Sequence, residues 1–151
     1  MPAAVKRLLV ANGPNLNLLG TREPEIYGTT TLAEVEAMVR EHAARMGCEV
    51  TCFQSNSEGA LLDFLQREAP GSSGIVLNPA AFTHYSYALY DCLRALRIPV
   101  VEVHLSNLHA RAERERFRSR SVTAPAAAGV ITGLGPKGYL LAMEYLLDRD
   151  E

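Results

Sequence analysis

The sequence has no tryptophan, two lysines and three cysteines in 151 residues. Cys48, Cys52 and Cys92 are odd in number and lack the spacing of a disulfide framework, so they read as reduced thiols of a cytoplasmic chain. No second pair follows Cys48 and Cys52, which argues against a zinc site. His42, His84, His104 and His109 fall in unrelated segments, so metal-ligand spacing is missing there too. Nothing approaches the ~18 apolar residues of a membrane span. The apolar run before Asn12 is too short for a secretory signal, whose core is ~7–15 residues. Repeats and low-complexity tracts are absent. A net charge of −2 supplies no field that favours nucleic acid or an anionic membrane. Metal, nucleic-acid and membrane partners are therefore not expected.

What remains is a globular composition, 48% hydrophobic and 21% charged, long enough for one domain over residues 1–151. Short β-rich apolar runs alternate with segments of helical period. Strands are expected at Arg7 to Asn12, Glu49 to Gln54, Gly74 to Asn78, Val100 to His104 and Gly129 to Thr132. Helices are expected from Thr31 to Met46, around Leu61 to Leu65, from Ser86 to Leu96 and from Tyr139 to Leu147. Thr31 and Glu34 form a capping box, and Gly47 suits a helix stop. Apolar strands without alternation fit a parallel sheet buried on both faces. Right-handed crossovers then give an α/β, flavodoxin-like doubly wound sheet of order 2-1-3-4-5, with helices on both faces.

Such sheets bind ligands beyond the carboxyl ends of their strands. The connection after the first strand, Gly13 to Thr30, is far longer than the usual ~2–6 residues. Its glycines and prolines suit a lid over about residues 16–28. It carries Arg22 and Tyr27. Polar residues also gather at Asn78 to Tyr85 and at His104 to His109. Two other motifs lead elsewhere and fail. Gly133-x-Gly135-x-x-Gly138 matches a dinucleotide fingerprint, but the chain ends before the second strand and acidic residue that fingerprint needs. A phosphoreceiver needs an acidic pair where this chain has Asn12 and Gly13. The stretch from Arg111 to Arg120 holds five arginines and two glutamates and reads as a solvated helical face, with one or two arginines free to bind a carboxylate.

Strand alternation puts Glu102 and His104 on one side. A carboxylate holding one imidazole nitrogen raises the basicity of the other, which makes an acid–base pair; a charged pair on an exposed strand end is the alternative. Tyr27 is either a packed aromatic or a base. A tyrosine base at neutral pH needs its pKa lowered by ~3 units, about 4 kcal/mol. A guanidinium ~4 Å away at an effective dielectric of ~20 supplies about that much, so Arg22 is the candidate.

Five segments together carry a resemblance: NGPNLNLLGTREPEIYG, QSNSEGALLDFL, NPAAFTHYSYALYD, VEVHLSN and GVITGLGPKGYLLA. The chain closely resembles the type II 3-dehydroquinate dehydratases of the shikimate pathway. The resemblance implies removal of water from 3-dehydroquinate to give 3-dehydroshikimate, by anti elimination through an enolate, with no cofactor or metal. It implies that Tyr27 is the base and that Arg22 lowers its pKa. Asn15 would bind the enolate oxygen through a water, and His104, oriented by Glu102, would protonate the leaving hydroxyl. Asn78, His84 and Asp91 would contact substrate hydroxyls and the carboxylate region. Leu105 and Ser106 would offer backbone N–H groups to the carboxylate. A homododecamer of four trimers, with Asp91 reaching a neighbouring subunit's site, is also implied.

The match loosens between His109 and Val130, where this chain is about three residues longer than the pattern. Phe117-Arg118 fits best, so Arg118 is expected to bind a ring hydroxyl; Arg114 and Arg116 stay open, and Arg111 is expected to support the lid or a subunit contact. Ala80 and Ala81 replace a spot that often contains glycine. The unrelated type I enzymes use a Schiff-base lysine, for which neither Lys6 nor Lys137 is well placed. A related enzyme acting on another polyhydroxy-carboxylate, or a non-catalytic carboxylate-binding module, is the competing reading.

Overall fold

Five parallel strands make one sheet: β1 (Arg7–Asn12), β2 (Glu49–Gln54), β3 (Gly74–Asn78), β4 (Val100–His104) and β5 (Gly129–Thr132). Their order is β2-β1-β3-β4-β5, as expected from the alternating pattern. The computed structural model describes residues 4–21 and 23–149. Its helices are α1 (Pro24–Tyr27), α2 (Leu32–Met46), α3 (Glu58–Glu68), α4 (Tyr87–Leu96), α5 (Leu108–Arg111) and α6 (Lys137–Asp148). The capping signals hold. Thr31 accepts from the Glu34 N–H, and Gly47 ends α2 with a φ of 70°.

Alternation along the strands sorts the core into two layers. Leu8, Val10, Val76, Val101 and Val103 cluster with Val35 and Val39 of α2 and with Tyr139 and Met143 of α6. Leu9, Ala11, Ile75, Leu77 and Val100 cluster with Leu61, Phe64 and Leu65 of α3 and with Leu89 and Leu93 of α4. Glu102 and His104 have the parity of Val100. They continue the α3/α4 side of the sheet at the carboxyl end of β4.

Two expectations need correction. Burial on both faces holds for β1, β3 and β4 but not for the edges: every residue of β2 keeps some exposure, and Val130 of β5 is exposed. On the β5 side the second correction supplies a cause. The stretch from Arg111 to Arg120 is not a helical face. After the four-residue α5 it forms turns and a 3-10 segment, Arg116–Ser119, so no long crossover helix lies between β4 and β5.

The ends of β1 and β3 are locked together at the future site. Gly13 N–H donates to the Asn78 carbonyl at 2.8 Å, and a Cβ on Gly13 would stand 2.4 Å from the Pro79 oxygen. Only glycine permits that approach. Two residues later Ala80 adopts a φ of 50°, its N–H held by Asn78 Oδ1 at 3.0 Å. Left-handed backbone costs a residue with a Cβ about 1–2 kcal/mol. That cost explains why glycine suits the position. Ala80→Gly removes the strain but adds about 0.4–1 kcal/mol of unfolded-chain freedom. Urea unfolding should therefore show a net gain of about 0.5–1 kcal/mol; equal or lower stability would mean that the turn stores no strain.

Candidate active site

Loops after β1, β3 and β4 converge on one cleft of about 450 Å³, counted to its open mouth. Asn15, Tyr27, Asn78, His84, His104, Leu105, Ser106 and Arg118 line it, together with Arg111. Glu102 lies behind His104 and is 1% exposed. Asp91 is exposed on α4 and does not line this cleft. Arg22 lies outside the described residues.

His104 Nε2 donates to Glu102 Oε2 at 2.7 Å, and both side chains are buried. This fixes the ring. The carboxylate holds Nε2–H, so Nδ1 is the nitrogen left for chemistry. Glu102 is further held by two hydroxyls: Thr83 donates to Oε2 at 2.8 Å and Thr123 to Oε1 at 2.6 Å. Ser121 bonds to Thr83 in turn. Burial pushes the Glu102 carboxyl up, but the His104 hydrogen bond and charge and the Thr123 and Thr83 hydroxyls outweigh it. The net direction is below the usual carboxylate value. An ionised carboxylate this deep would otherwise cost several kcal/mol.

His84 has the opposite role. Burial lowers its pKa, its bond to the Arg120 carbonyl partly restores it, and the Arg118 charge lowers it again; the net direction is down. Its Nδ1 lies 2.7 Å from the Arg120 carbonyl oxygen, so Nδ1 carries the proton. The Nε2 lone pair then faces Arg118 Nη1 at 3.5 Å. His84 is thus a neutral acceptor that aims Arg118.

Behind Asn78 lies a buried polar chain. Asn78 Nδ2 donates to the Tyr139 hydroxyl at 2.9 Å, and that hydroxyl donates to Asn12 Oδ1 at 2.7 Å. Burial, the largest effect, drives the Tyr139 pKa up, although the Asn78 bond pulls the other way.

Over the cleft, the Arg111 guanidinium stacks on the Tyr27 ring at 5.1 Å and donates to Ser106 Oγ at 3.1 Å. Arg118 lines the cleft, whereas Arg114 and Arg116 are exposed and do not line it. Thr83, Ser121 and Thr123 were not read from the sequence. Thr83 precedes His84 in a recognisable segment, but nothing in spacing shows that hydroxyls 19 and 21 residues away converge on Glu102.

The Glu102 cradle has a pH signature. A carboxyl held below its usual value near 4.5 contributes stability that is complete above that pH. The contribution fades as pH falls through the lowered value. Thr123→Val removes one hydrogen bond to the charged form and moves the folded-state value back up. In urea unfolding the variant should lose about 2 kcal/mol at pH 7. The deficit should shrink below pH ~4 as both proteins protonate Glu102. A deficit independent of pH would mean that the hydroxyl does not stabilise the carboxylate.

Residues 6–147 match the family described as Dehydroquinase class II. A 3-dehydroquinate dehydratase of Anoxybacillus flavithermus is 55% identical over 145 residues, covering 96% of each chain. The crystal structure of type II dehydroquinase from Butyrivibrio crossotus superposes with a TM-score of 0.91 at 46% identity, covering 95% of this chain and 99% of that one. The type II dehydroquinase from Propionibacterium acnes gives 0.89 at 43% identity, covering 95% and 97%. With a buried Glu–His pair at the strand ends, a tyrosine above it and this degree of likeness, the chain belongs to the class II dehydroquinase family.

Proposed function

We propose that the chain dehydrates 3-dehydroquinate to 3-dehydroshikimate by anti elimination through an enolate, with Tyr27 as base and His104 as acid. Its relatives carry the name 3-dehydroquinate dehydratase, a hydro-lyase activity. The observation that carries the mechanism is the buried Glu102–His104 pair on the wall of a cleft that Tyr27 also lines.

The reaction needs a base for the proton beside the ketone, an acid for the departing hydroxyl and a place for enolate charge. Anti geometry asks for acid and base on opposite faces of the ring. Tyr27 comes from the loop after β1 and His104 from the end of β4, so the two approach from different walls. Protonated His104 offers Nδ1–H to the hydroxyl, and Glu102 stabilises the imidazolium until transfer. Arg22, five residues before Tyr27, is assigned to the base with Arg111, and Asn15 to the enolate oxygen through a water. Asn78, His84 and Arg118 take ring hydroxyls, and the N–H groups of Leu105 and Ser106 take the carboxylate. Lys6 donates to the Leu147 carbonyl away from the cleft, and no lysine lines the cavity among the described residues, which supports a route without a Schiff base.

Leu16 and Leu19, in the first part of the proposed 16–28 lid, are buried in the core. Asp91, exposed on α4, serves a neighbouring copy's cleft in a homododecamer of four trimers. The enzyme works in the cytoplasm; among the described residues no helix is long and apolar enough to cross a membrane.

Adding 3-dehydroquinate to the folded protein should raise the ultraviolet absorbance of the conjugated enone; a flat trace would overturn the activity. Tyr27→Phe and His104→Ala should each lower kcat by at least ~10³-fold with an unchanged far-ultraviolet circular dichroism spectrum. Near-normal kcat for Tyr27→Phe would remove the tyrosine from the base role. Borohydride added with substrate should leave activity intact, whereas irreversible loss would point to a lysine imine.

A further inference from the structure

Arg111 and Arg118 both line the cleft and share one carboxylate. Arg111 Nη2 is 3.5 Å from Glu115 Oε1, and Arg118 Nη2 is 3.3 Å from Glu115 Oε2. The backbone repeats the link. Glu115 N–H donates to the Arg111 carbonyl at 3.0 Å, and Arg118 N–H donates to the Glu115 carbonyl at 2.9 Å. The Nε atoms of both arginines are buried without a partner among the described residues, so each guanidinium is fixed through its Nη ends. The second Nη of each faces the site: Arg111 Nη1 on Ser106 Oγ, Arg118 Nη1 toward His84 Nε2.

Stability alone does not account for this arrangement. The Glu115 side chain is 39% exposed, and ion pairs at that exposure contribute little. Order does account for it. Both arginine side chains are 12% exposed, so two like charges lie in a poorly hydrated cleft, each on a side chain with considerable rotamer freedom. One carboxylate with an oxygen for each removes the repulsion and sets the spacing. Glu115 also lies in the stretch where the chain is longer than the pattern it resembles.

We infer that Glu115 is a positioning residue: it holds Arg111 against Tyr27 and Arg118 in the ring-hydroxyl position, and so governs turnover and substrate binding together. The inference rests on the elimination proposed above. It assigns separable effects to the two arms. Losing the Arg111 arm loosens the base and lowers kcat; losing the Arg118 arm raises KM.

The test is steady-state dehydration of 3-dehydroquinate by the full chain. Glu115→Ala should lower kcat about tenfold and raise KM about tenfold. Glu115→Gln keeps an acceptor oxygen for only one guanidinium and should fall between. Glu115→Gln carries the test if the alanine variant fails to fold. In an Arg118→Ala background, adding Glu115→Ala should change KM less than twofold while still lowering kcat. A full tenfold rise in KM in that background would overturn the tether, as would single variants with wild-type constants. A uniform fall in kcat with unchanged KM would overturn it too, because a merely structural residue reduces the active fraction only. A wild-type chain that leaves 3-dehydroquinate untouched would overturn the activity and the tether together; a wild type that turns over while the Glu115 variants match it overturns the tether alone.

Discussion

The site depends on keeping one carboxylate charged where water barely reaches it. Glu102 is almost wholly buried at the end of a central strand, and burial alone would raise its pKa. His104 and the hydroxyls of Thr83 and Thr123 reverse that outcome. The consequence runs outward. An ionised Glu102 fixes which imidazole nitrogen bears the structural proton, and that leaves Nδ1 for the proposed acid role. The three hydroxyl groups come from the segments after β3 and before β5, so folding of both segments is built around this charge. A neutral Glu102 would remove the reason for that convergence as well as the catalytic pair.

Around this fixed point the proposed base is arranged differently. Tyr27 belongs to a short helix on a long connection, and its visible restraint from the other wall is a stacked guanidinium. The proposed acid is built into the sheet and the proposed base is carried by a loop. Such a division leaves the buried charge independent of the loop that carries the proposed base.

All five strands were legible to the residue, because buried parallel strands are apolar runs bounded by turn residues. The pair Glu102 and His104 was legible because a period of two is enough to put them on one side. The connection between β4 and β5 was not. Its charge pattern is that of a solvated helix, but Arg111 and Arg118 turn inward onto a shared glutamate and the backbone follows them into turns. Partial exposure of β2 and β5 followed from position in the sheet, which apolar composition does not report. The strained turn at Ala80 was half-legible: an alanine stands where glycine is common, while its left-handed backbone is set by the fold around it. Ser121 and Thr123 were invisible for a simpler reason. A hydroxyl carries no marker of which distant carboxylate it will meet.

The buried hydroxyl of Tyr139 gives the support behind Asn78 a further property. It joins the side chains at the ends of β1 and β3, and burial drives its ionisation well above the ordinary range. Asparagine amides do not titrate at all. Behind Asn78 the fold therefore places a chain of oriented dipoles whose charge does not change through neutral pH. Proton traffic is confined to the walls. A pH dependence of the proposed reaction would then arise from titratable groups that line the cleft, not from this buried chain.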